Sequence, residues 1–315
     1  MTAVVQLTGR AAITANESLR RHTTLHVGGP ADWFLKIGAA DGDEPLREAL
    51  RWATVEGIPI TIIGGGSNVL VADAGVEGLV IKVLTPRLAP QINRSDSAAP
   101  LVTGHAGMLM SGFAEACGDA GLAGLDWAVG LPGTLGGAVV NNAGAHGSEM
   151  SASFYDATLI LTDGTMRTVS AADMAYQYRH TTVKDGTLRG VLTTIRVRLT
   201  PGNPDELRAR ATEYHNWRKT AQPQAASAGS MFQNPPDDAA GRLIEACGLK
   251  GFTIGQAQVS RVHANFIVNL GKATAADVLA VGDYCRRCVR DRFGVELQYE
   301  VQRIGRWGAP DEGDR

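Results

Sequence analysis

Two stretches of this chain are written in residues that do chemistry through their main chain. Residues 130–149, GLPGTLGGAVVNNAGAHGSE, place six glycines in twenty positions, with Pro132 near the start and Asn141 and Asn142 in the middle. Such a run has too little apolar bulk for a core strand, and its glycines disfavour a stable helix. Glycine supplies instead bare backbone that approaches a ligand closely and turns with positive φ. Residues 63–68, IGGGSN, repeat the theme. A surface turn explains one such stretch. Two in one chain predict a cradle for a phosphate or a flat ring, one large ligand being held from two sides.

The shorter loop follows an apolar run, as a dinucleotide fingerprint does. However, Gly64, Gly66 and Val69 give G-x-G-x-x-V without the third glycine, and no good helix follows. That is not a Rossmann turn, and the absence of Gly-Lys-Ser/Thr excludes a P-loop. A nest of backbone N–H groups for a pyrophosphate fits both.

Four thiols are the other reactive groups: Cys117, Cys247, Cys285 and Cys288. The C-x-x-C at 285–288 lies on a stripe with Val278, Val281 and Val289, which is helical spacing. No second C-x-x-C or nearby His pair completes a metal set. These thiols are expected to pack in a core, with no metal site.

The elements that position the loops follow from periodicity. Residues 31–37, 58–63 and 79–83 read as strands and 43–56 as a helix, so residues 20–85 form a β-α-β unit. Residues 86–100 read as a polar loop and 108–120 as a helix. Residues 157–169 read as a hairpin turning at Asp163-Gly164, and 188–199 as a long alternating strand. Pro201-Gly202-Asn203-Pro204 breaks the chain. Beyond it, 206–219, 239–247 and 274–293 are helical, the last with Thr274 and Asp277 in capping-box spacing and Gly294 at its end. Residues 220–236 read as loop; 254–259, 265–269 and 295–304 read as strands. The division predicted is 1–85, 86–200 and 201–315.

With 315 residues, 44% hydrophobic and 20% charged, and a net charge of −2, the chain has the composition of a globular protein. It lacks the basic footprint of a nucleic-acid binder. No run approaches the ~20 apolar residues of a membrane span, and the N-terminal residues do not read as a signal peptide. A cytoplasmic protein is expected, with no nucleic-acid or membrane partner.

Seven motifs occur in one order: HTTLHVGGPA (22–31), GGGSNVLV (64–71), GLPGTLGGAVVNNAGAHG (130–147), YR (178–179), AGSMFQNP (228–235), LIEACGLKG (243–251) and VSRVHANFIVN (259–269). By these the chain resembles the UDP-N-acetylenolpyruvoylglucosamine reductase (MurB) family from about His22 to Gly305. The direct passage from Leu249-Lys250-Gly251 to His263-Ala264-Asn265 resembles the shorter, type II form. The resemblance implies an α+β chain. Two α/β subdomains bind FAD in the manner of the PCMH or vanillyl-alcohol-oxidase flavoproteins, and a C-terminal α/β domain binds substrate. It implies non-covalent FAD, NADPH as reductant, and UDP-N-acetylglucosamine enolpyruvate as the small-molecule substrate; a monomer is favoured.

The resemblance also assigns residues. Arg179, Ser230 and Glu300 match the catalytic set: a cation for the substrate carboxylate, a proton donor to C2, and a carboxyl group that stabilises the enolic intermediate by holding or sharing a proton. Serine is a weak acid, so its acceptor must be strongly basic, as a carbanionic or enolic C2 is. The FAD contacts implied are Gly64, Gly65, Gly66, Ser67, Asn68, Pro132, Gly133, Thr134, Gly136, Gly137, Ala138, Asn142 and Gly144. The substrate contacts implied are Tyr178, Asn234, His263 and Asn265. Arg218 and Gln222 either meet the substrate's diphosphate or belong to a basic helix end that complements its dipole. Trp127, Asn141, His146 and Thr181 depart from the commoner pattern. Two rivals are another flavin oxidoreductase acting on a small alcohol or sugar, and a non-catalytic flavin or sugar-nucleotide binder.

Overall fold

Asp43 stands at the N-cap of helix α1, Glu44–Val55, whose Pro45, Leu46, Ala49, Leu50 and Ala53 are buried. Gly57, at φ +65°, ends it. The chain then enters strand Ile60–Ile63, which runs parallel to Val76–Val83. That pairing leaves Gly64 at a strand end, where main chain is released from the ladder.

The computed structural model describes residues 4–85 and 87–308. The fold is α+β and divides into two compact units. The first gathers Met1–Ala15, Phe34–Gly65 and Gly78–Trp217; the second gathers Asn16–Trp33, Gly66–Glu77 and Arg218–Arg315. The break falls inside the GGGSN motif.

A five-stranded sheet has the order Val4–Gln6, Ala12–Ser18, Pro30–Ile37, Val76–Val83, Ile60–Ile63. A second sheet, in the first unit, is antiparallel: Met166–Ser170, Phe154–Leu161, Gly190–Arg198, Leu101–His105, Gln91–Asn93. The Asp163-Gly164 hairpin has the register Ala157↔Val169, with Gly164 at φ +82°. Gln91–Asn93 lies within the stretch read as loop. Its side chains are exposed, and its order comes from pairing to Leu101–His105, which no local pattern announces. Helix α2 is Met110–Asp119.

The glycine run corrects one expectation. It contains a short helix, α3, Leu135–Val140, with Thr134 as N-cap accepting from Gly137 N–H. Tertiary packing overrides propensity there: a methyl on Gly136 would lie 2.9 Å from Ala106 Cβ. Helix α4, Ala171–Met174, starts with a Ser170/Asp173 capping box. Helix α5, Pro204–Ala221, begins at the predicted break and carries the chain out of the first unit.

In the second unit a four-stranded sheet has the order Ser227–Ser230, Phe266–Asn269, Ala257–Val259, Thr253–Ile254. Ser227–Ser230 lies in a stretch read as loop, and the strand expected over 254–259 is two short strands turning at Gly255, φ +54°. Helices α6, Ala240–Ala246, and α7, Ala275–Phe293, complete the unit. The Thr274/Asp277 capping box is formed. Asp73 adds a second cap, its two carboxylate oxygens accepting from the N–H groups of Ala275 and Ala276 at 2.9 and 3.0 Å. Val278, Val281 and Val289 of α7 are fully buried, each stabilising the core by about 1.5–3 kcal/mol. Cys285 is buried with them, and burial pushes its thiol up to about 12. Cys247 and Cys288 pack against the same core. The strand expected over 295–304 is regular only at Gln302–Ile304, parallel to Val69–Val71.

His105 gives a pH expectation. Its Nδ1 accepts from Gly107 N–H at 3.0 Å and lies 3.0 Å from Thr85 Oγ1, which itself accepts from Ala39 N–H. Burial lowers its pKa below the ordinary histidine value, Asp43 and Asp41 opposing weakly. A neutral histidine in the folded state binds fewer protons than the unfolded chain. Stability from this site is therefore complete above the unfolded value of about 6.5 and is lost as pH falls below it. The melting temperature is expected to fall between pH 7 and 5, less so in His105→Gln.

Candidate active site

In the first unit the two glycine-rich loops meet. A methyl on Gly65 would lie 2.8 Å from Gly133 Cα, and one on Gly64 would collide with Thr134 Oγ1. At Gly65 bare backbone lies against bare backbone, which requires glycine there, and Gly133 stands at φ +106°. Among the described residues the N–H groups of Gly65, Gly133 and Thr134 donate to no protein acceptor. Gathered unpaired donors of this kind suit an anion. The residues present therefore fit a pyrophosphate group.

Arg179 belongs to the same unit and sits in a tight turn, with Gln177 and His180 exchanging both main-chain bonds at 3.1 Å. Its φ is +55°, a conformation costing a non-glycine residue about 1–2 kcal/mol. The turn is held from several sides. Arg179 donates through Nη1 to Asn142 O at 3.1 Å and through Nη2 to Gly144 O at 3.0 Å. Asn142, itself buried, donates to Gln177 O at 3.0 Å. Lys184 Nζ donates to Arg179 O at 2.7 Å. Thr181, one of the departing positions, donates to Val140 O at 2.6 Å. Strain at an arginine so clamped belongs where a charge must point one way. Tyr178 is exposed, with the Arg179 guanidinium 4.9 Å from its ring centroid.

The second unit gathers Ser230, Asn265, Asn68 and Glu300. Ser230 ends its strand opposite Phe266, after Gly229 at φ +76°. Asn265 is buried and both halves of its carboxamide are spent on one peptide: Phe232 N–H donates to Oδ1 at 3.0 Å, and Nδ2 donates to Phe232 O at 2.8 Å. Its own carbonyl accepts from Met231 N–H at 2.7 Å. Asn265, read from the sequence as a substrate contact, thus straps down the segment that follows Ser230. Glu300 N–H donates to Met231 O at 2.9 Å, and Asn68 Nδ2 donates to Glu300 O at 3.2 Å. Gly66, at φ +70°, brings the start of this segment against the main chain of His22 and Thr23.

The remaining assigned residues serve as follows. Asn234 accepts from Ala240 N–H at 3.1 Å, capping α6. His263 accepts at Nδ1 from Asn265 N–H at 3.2 Å, which leaves the proton on Nε2, and burial lowers its pKa. Arg218 is only 9% exposed, burial lowers its pKa, and its Nε has no hydrogen-bond partner among the described residues. Gln222 closes the last turn of α5 by donating from its N–H to Arg218 O at 3.0 Å. Sequence reasoning missed Lys184, whose polar surroundings carry no signal, and the strapping role of Asn265.

Residues 222–304 match the model of the UDP-N-acetylenolpyruvoylglucosamine reductase C-terminal domain, and residues 39–170 that of an FAD-binding domain. The reductase of Rubrobacter xylanophilus is 42% identical over 290 residues, 92% of this chain and 94% of that protein. This chain belongs to the UDP-N-acetylenolpyruvoylglucosamine reductase family. The reductase of Anoxybacillus flavithermus is 41% identical over 295 residues, covering 93% and 95% of the two chains. The solved reductase of Thermus caldophilus superposes with a TM-score of 0.75 at 32% identity, over 96% of this chain and all of that one. Ser230, Asn265 and Glu300 all fall within the stretch that matches the reductase C-terminal domain. Gly64, Gly65, Gly133 and Thr134 fall within the FAD-binding match.

Proposed function

We propose that this chain reduces UDP-N-acetylglucosamine enolpyruvate to UDP-N-acetylmuramate, a step toward the peptidoglycan precursor, with FAD as cofactor and NADPH as reductant. The observation that carries the reading is the arrangement of Ser230, Asn265 and Glu300 on strapped main chain inside the stretch matching the reductase C-terminal domain. Residues 1–85 and 86–200 form the FAD-binding part and 201–315 the substrate-binding part. The protein works as a cytoplasmic monomer.

FAD, when bound, would supply the redox chemistry, carrying the hydride of NADPH to C3 of the enolpyruvyl group. The chain's residues do the rest. The amides of Gly65, Gly133 and Thr134 bind the cofactor's diphosphate, and Gly66, Ser67, Asn68, Pro132, Gly136, Gly137 and Ala138 complete its surroundings. An enol ether is electron-rich and resists hydride unless the charge developing over C2 and the carboxylate is stabilised. Arg179 stays charged throughout and binds that carboxylate; its bonds to Asn142 and Gly144 fix the plane of the guanidinium. Ser230 Oγ delivers the proton to C2, and Glu300 gives a hydrogen bond to the enolic oxygen. Arg218 and Gln222 receive the substrate's diphosphate, and Tyr178 is a further substrate contact. Asn234 and His263 shape the wall behind them.

Purified protein is expected to show flavin absorbance that NADPH bleaches, and to oxidise NADPH continuously only when the enolpyruvyl substrate is present. Consumption of O₂ with a small alcohol as the electron donor, and no NADPH oxidation with the enolpyruvyl compound, would favour an oxidase instead. Gly65→Ala tests the cofactor cradle. Its methyl meets Gly133 Cα, a backbone atom that moves only with its loop. Overpacking of this kind costs about 1–3 kcal/mol, or roughly a 5- to 150-fold loss of FAD affinity. Flavin-to-protein ratio after gel filtration measures it; an unchanged ratio would remove Gly65 from the site.

A further inference from the structure

We infer that Tyr299 is a positioning residue for the proton-transfer step, acting through the main chain of Glu300 and Met231; this rests on the roles proposed above for Ser230 and Glu300. Residues 297–301 are not a regular strand, yet their path is tightly determined. On one side Gln233 N–H donates to Gln298 O at 2.9 Å and Glu300 N–H donates to Met231 O at 2.9 Å. An isolated antiparallel bridge pairs Phe232 with Tyr299. On the other side Asn68 holds Glu300 and Gln302: Gln302 N–H donates to Asn68 O at 3.0 Å, and Asn68 Nδ2 donates to Glu300 O at 3.2 Å.

Those bonds set the register against the main chain of Met231, Gln233 and Asn68. Tyr299 adds a side-chain tie to a helix. Its phenol reaches helix α7 and donates to Asp283 Oδ1 at 2.5 Å. The ring lies 4.9 Å from that of Phe232, and the guanidinium carbons of Arg286 and Arg303 are each 5.3 Å from its centroid. Gly282 makes room for it: a methyl there would lie 2.7 Å from the Tyr299 hydroxyl and 3.2 Å from Met231 Cε. Arg286 backs the arrangement, donating through Nε to Leu297 O at 3.1 Å and through Nη2 to Glu296 at 2.6 Å. One helical surface therefore holds the segment bearing Glu300 and touches the Met231 side chain that follows Ser230. Burial pushes the Tyr299 pKa up, and the bond to Asp283 adds to the shift, so the phenol stays a donor at every working pH.

The segment bearing Glu300 and the Met231 side chain next to Ser230 thus meet the same helical surface, and loosening Tyr299 shifts Glu300 relative to Ser230. A displacement near 1 Å costs about 100-fold in a positioned reaction. The test uses the full-length, FAD-loaded protein and stopped-flow spectroscopy of each half-reaction. Tyr299→Phe and Asp283→Ala are expected to lower the limiting rate at which substrate reoxidises reduced flavin by about 10- to 100-fold. Half-saturation by substrate, FAD content and flavin reduction by NADPH should stay near wild type. Asp283→Asn, which keeps an acceptor for the phenol, should retain the wild-type rate. The double variant Tyr299→Phe/Asp283→Ala should be no slower than either single one. A wild-type reoxidation rate in Tyr299→Phe overturns the inference; so does equal slowing of both half-reactions, which marks a general folding defect. Glu300→Ala is measured alongside. If it too is silent, the site assignment has failed; if it alone is slow, only the role of Tyr299 has.

Discussion

Ser230→Ala leaves reduction of the flavin by NADPH within about twofold of wild type, but slows reoxidation by the enolpyruvyl substrate by about 10²–10⁴-fold or more. The separation follows from the order of events proposed above, in which the Ser230 proton is needed only after hydride has reached C3. The size follows from two losses. A general acid contributes about 10²–10⁴, and water replacing the hydroxyl is not held by the protein. The fold itself should tolerate the change. Ser230 ends a strand whose neighbour Met231 is fixed through its own N–H to Asn265, and among the described residues no side-chain bond of Ser230 enters that scaffold. Stopped-flow absorbance of the flavin band measures both steps. Equal slowing of the two would trace the defect to the flavin site instead, and a normal second step would take Ser230 out of the mechanism.

Much of the scaffold was legible because its signals are local. Thr274 and Asp277 announce the start of α7, Gly294 its end, and Asp163-Gly164 a hairpin whose register follows from alternation. What local pattern cannot hold is pairing supplied from a distance. Ser227–Ser230 is a strand because Phe266–Asn269 offers it a partner, and residues 297–301 stay irregular because Met231, Gln233 and Asn68 claim their main-chain groups one by one. The glycine run shows the same limit. Its composition announces close approach, and Gly65 against Gly133 is that approach. Yet the helix within it depends on Ala106 and Met108, whose carbonyls accept from Gly136 and Leu135. At the candidate site, residue types and motif order pointed to Arg179, Ser230 and Glu300. The left-handed turn of Arg179, the carboxamide strap of Asn265 and the Tyr299–Asp283 tie have no sequence signature, being contacts between residues 16 to 37 positions apart.

Glu300→Ala is expected to slow reoxidation of reduced flavin by substrate on the order of 10²–10³-fold, the scale seen when one preorganised donor to a developing oxyanion is removed. Glu300 is half-buried, and its main chain is fixed on both sides, by Met231 O and by Asn68 Nδ2. Such fixation leaves only the side-chain torsions to adjust as charge appears on the substrate. An ionised carboxylate there would oppose that charge: two unit charges at 4 Å repel by about 4 kcal/mol at an effective dielectric of 20. In the role proposed above, the residue therefore helps only while it holds or shares a proton with the substrate. Glu300→Gln keeps a donor that cannot be transferred, whereas Glu300→Ala keeps none. If donation alone matters, Gln recovers most of the rate that Ala loses. If the proton itself moves, Gln is as slow as Ala, and a solvent deuterium effect on the wild-type step accompanies that result. In both variants NADPH should still reduce the flavin at close to the wild-type rate, because that step precedes any charge on the substrate. A Glu300→Ala protein that reoxidises its flavin with substrate as fast as wild type would reduce the catalytic set to Arg179 and Ser230.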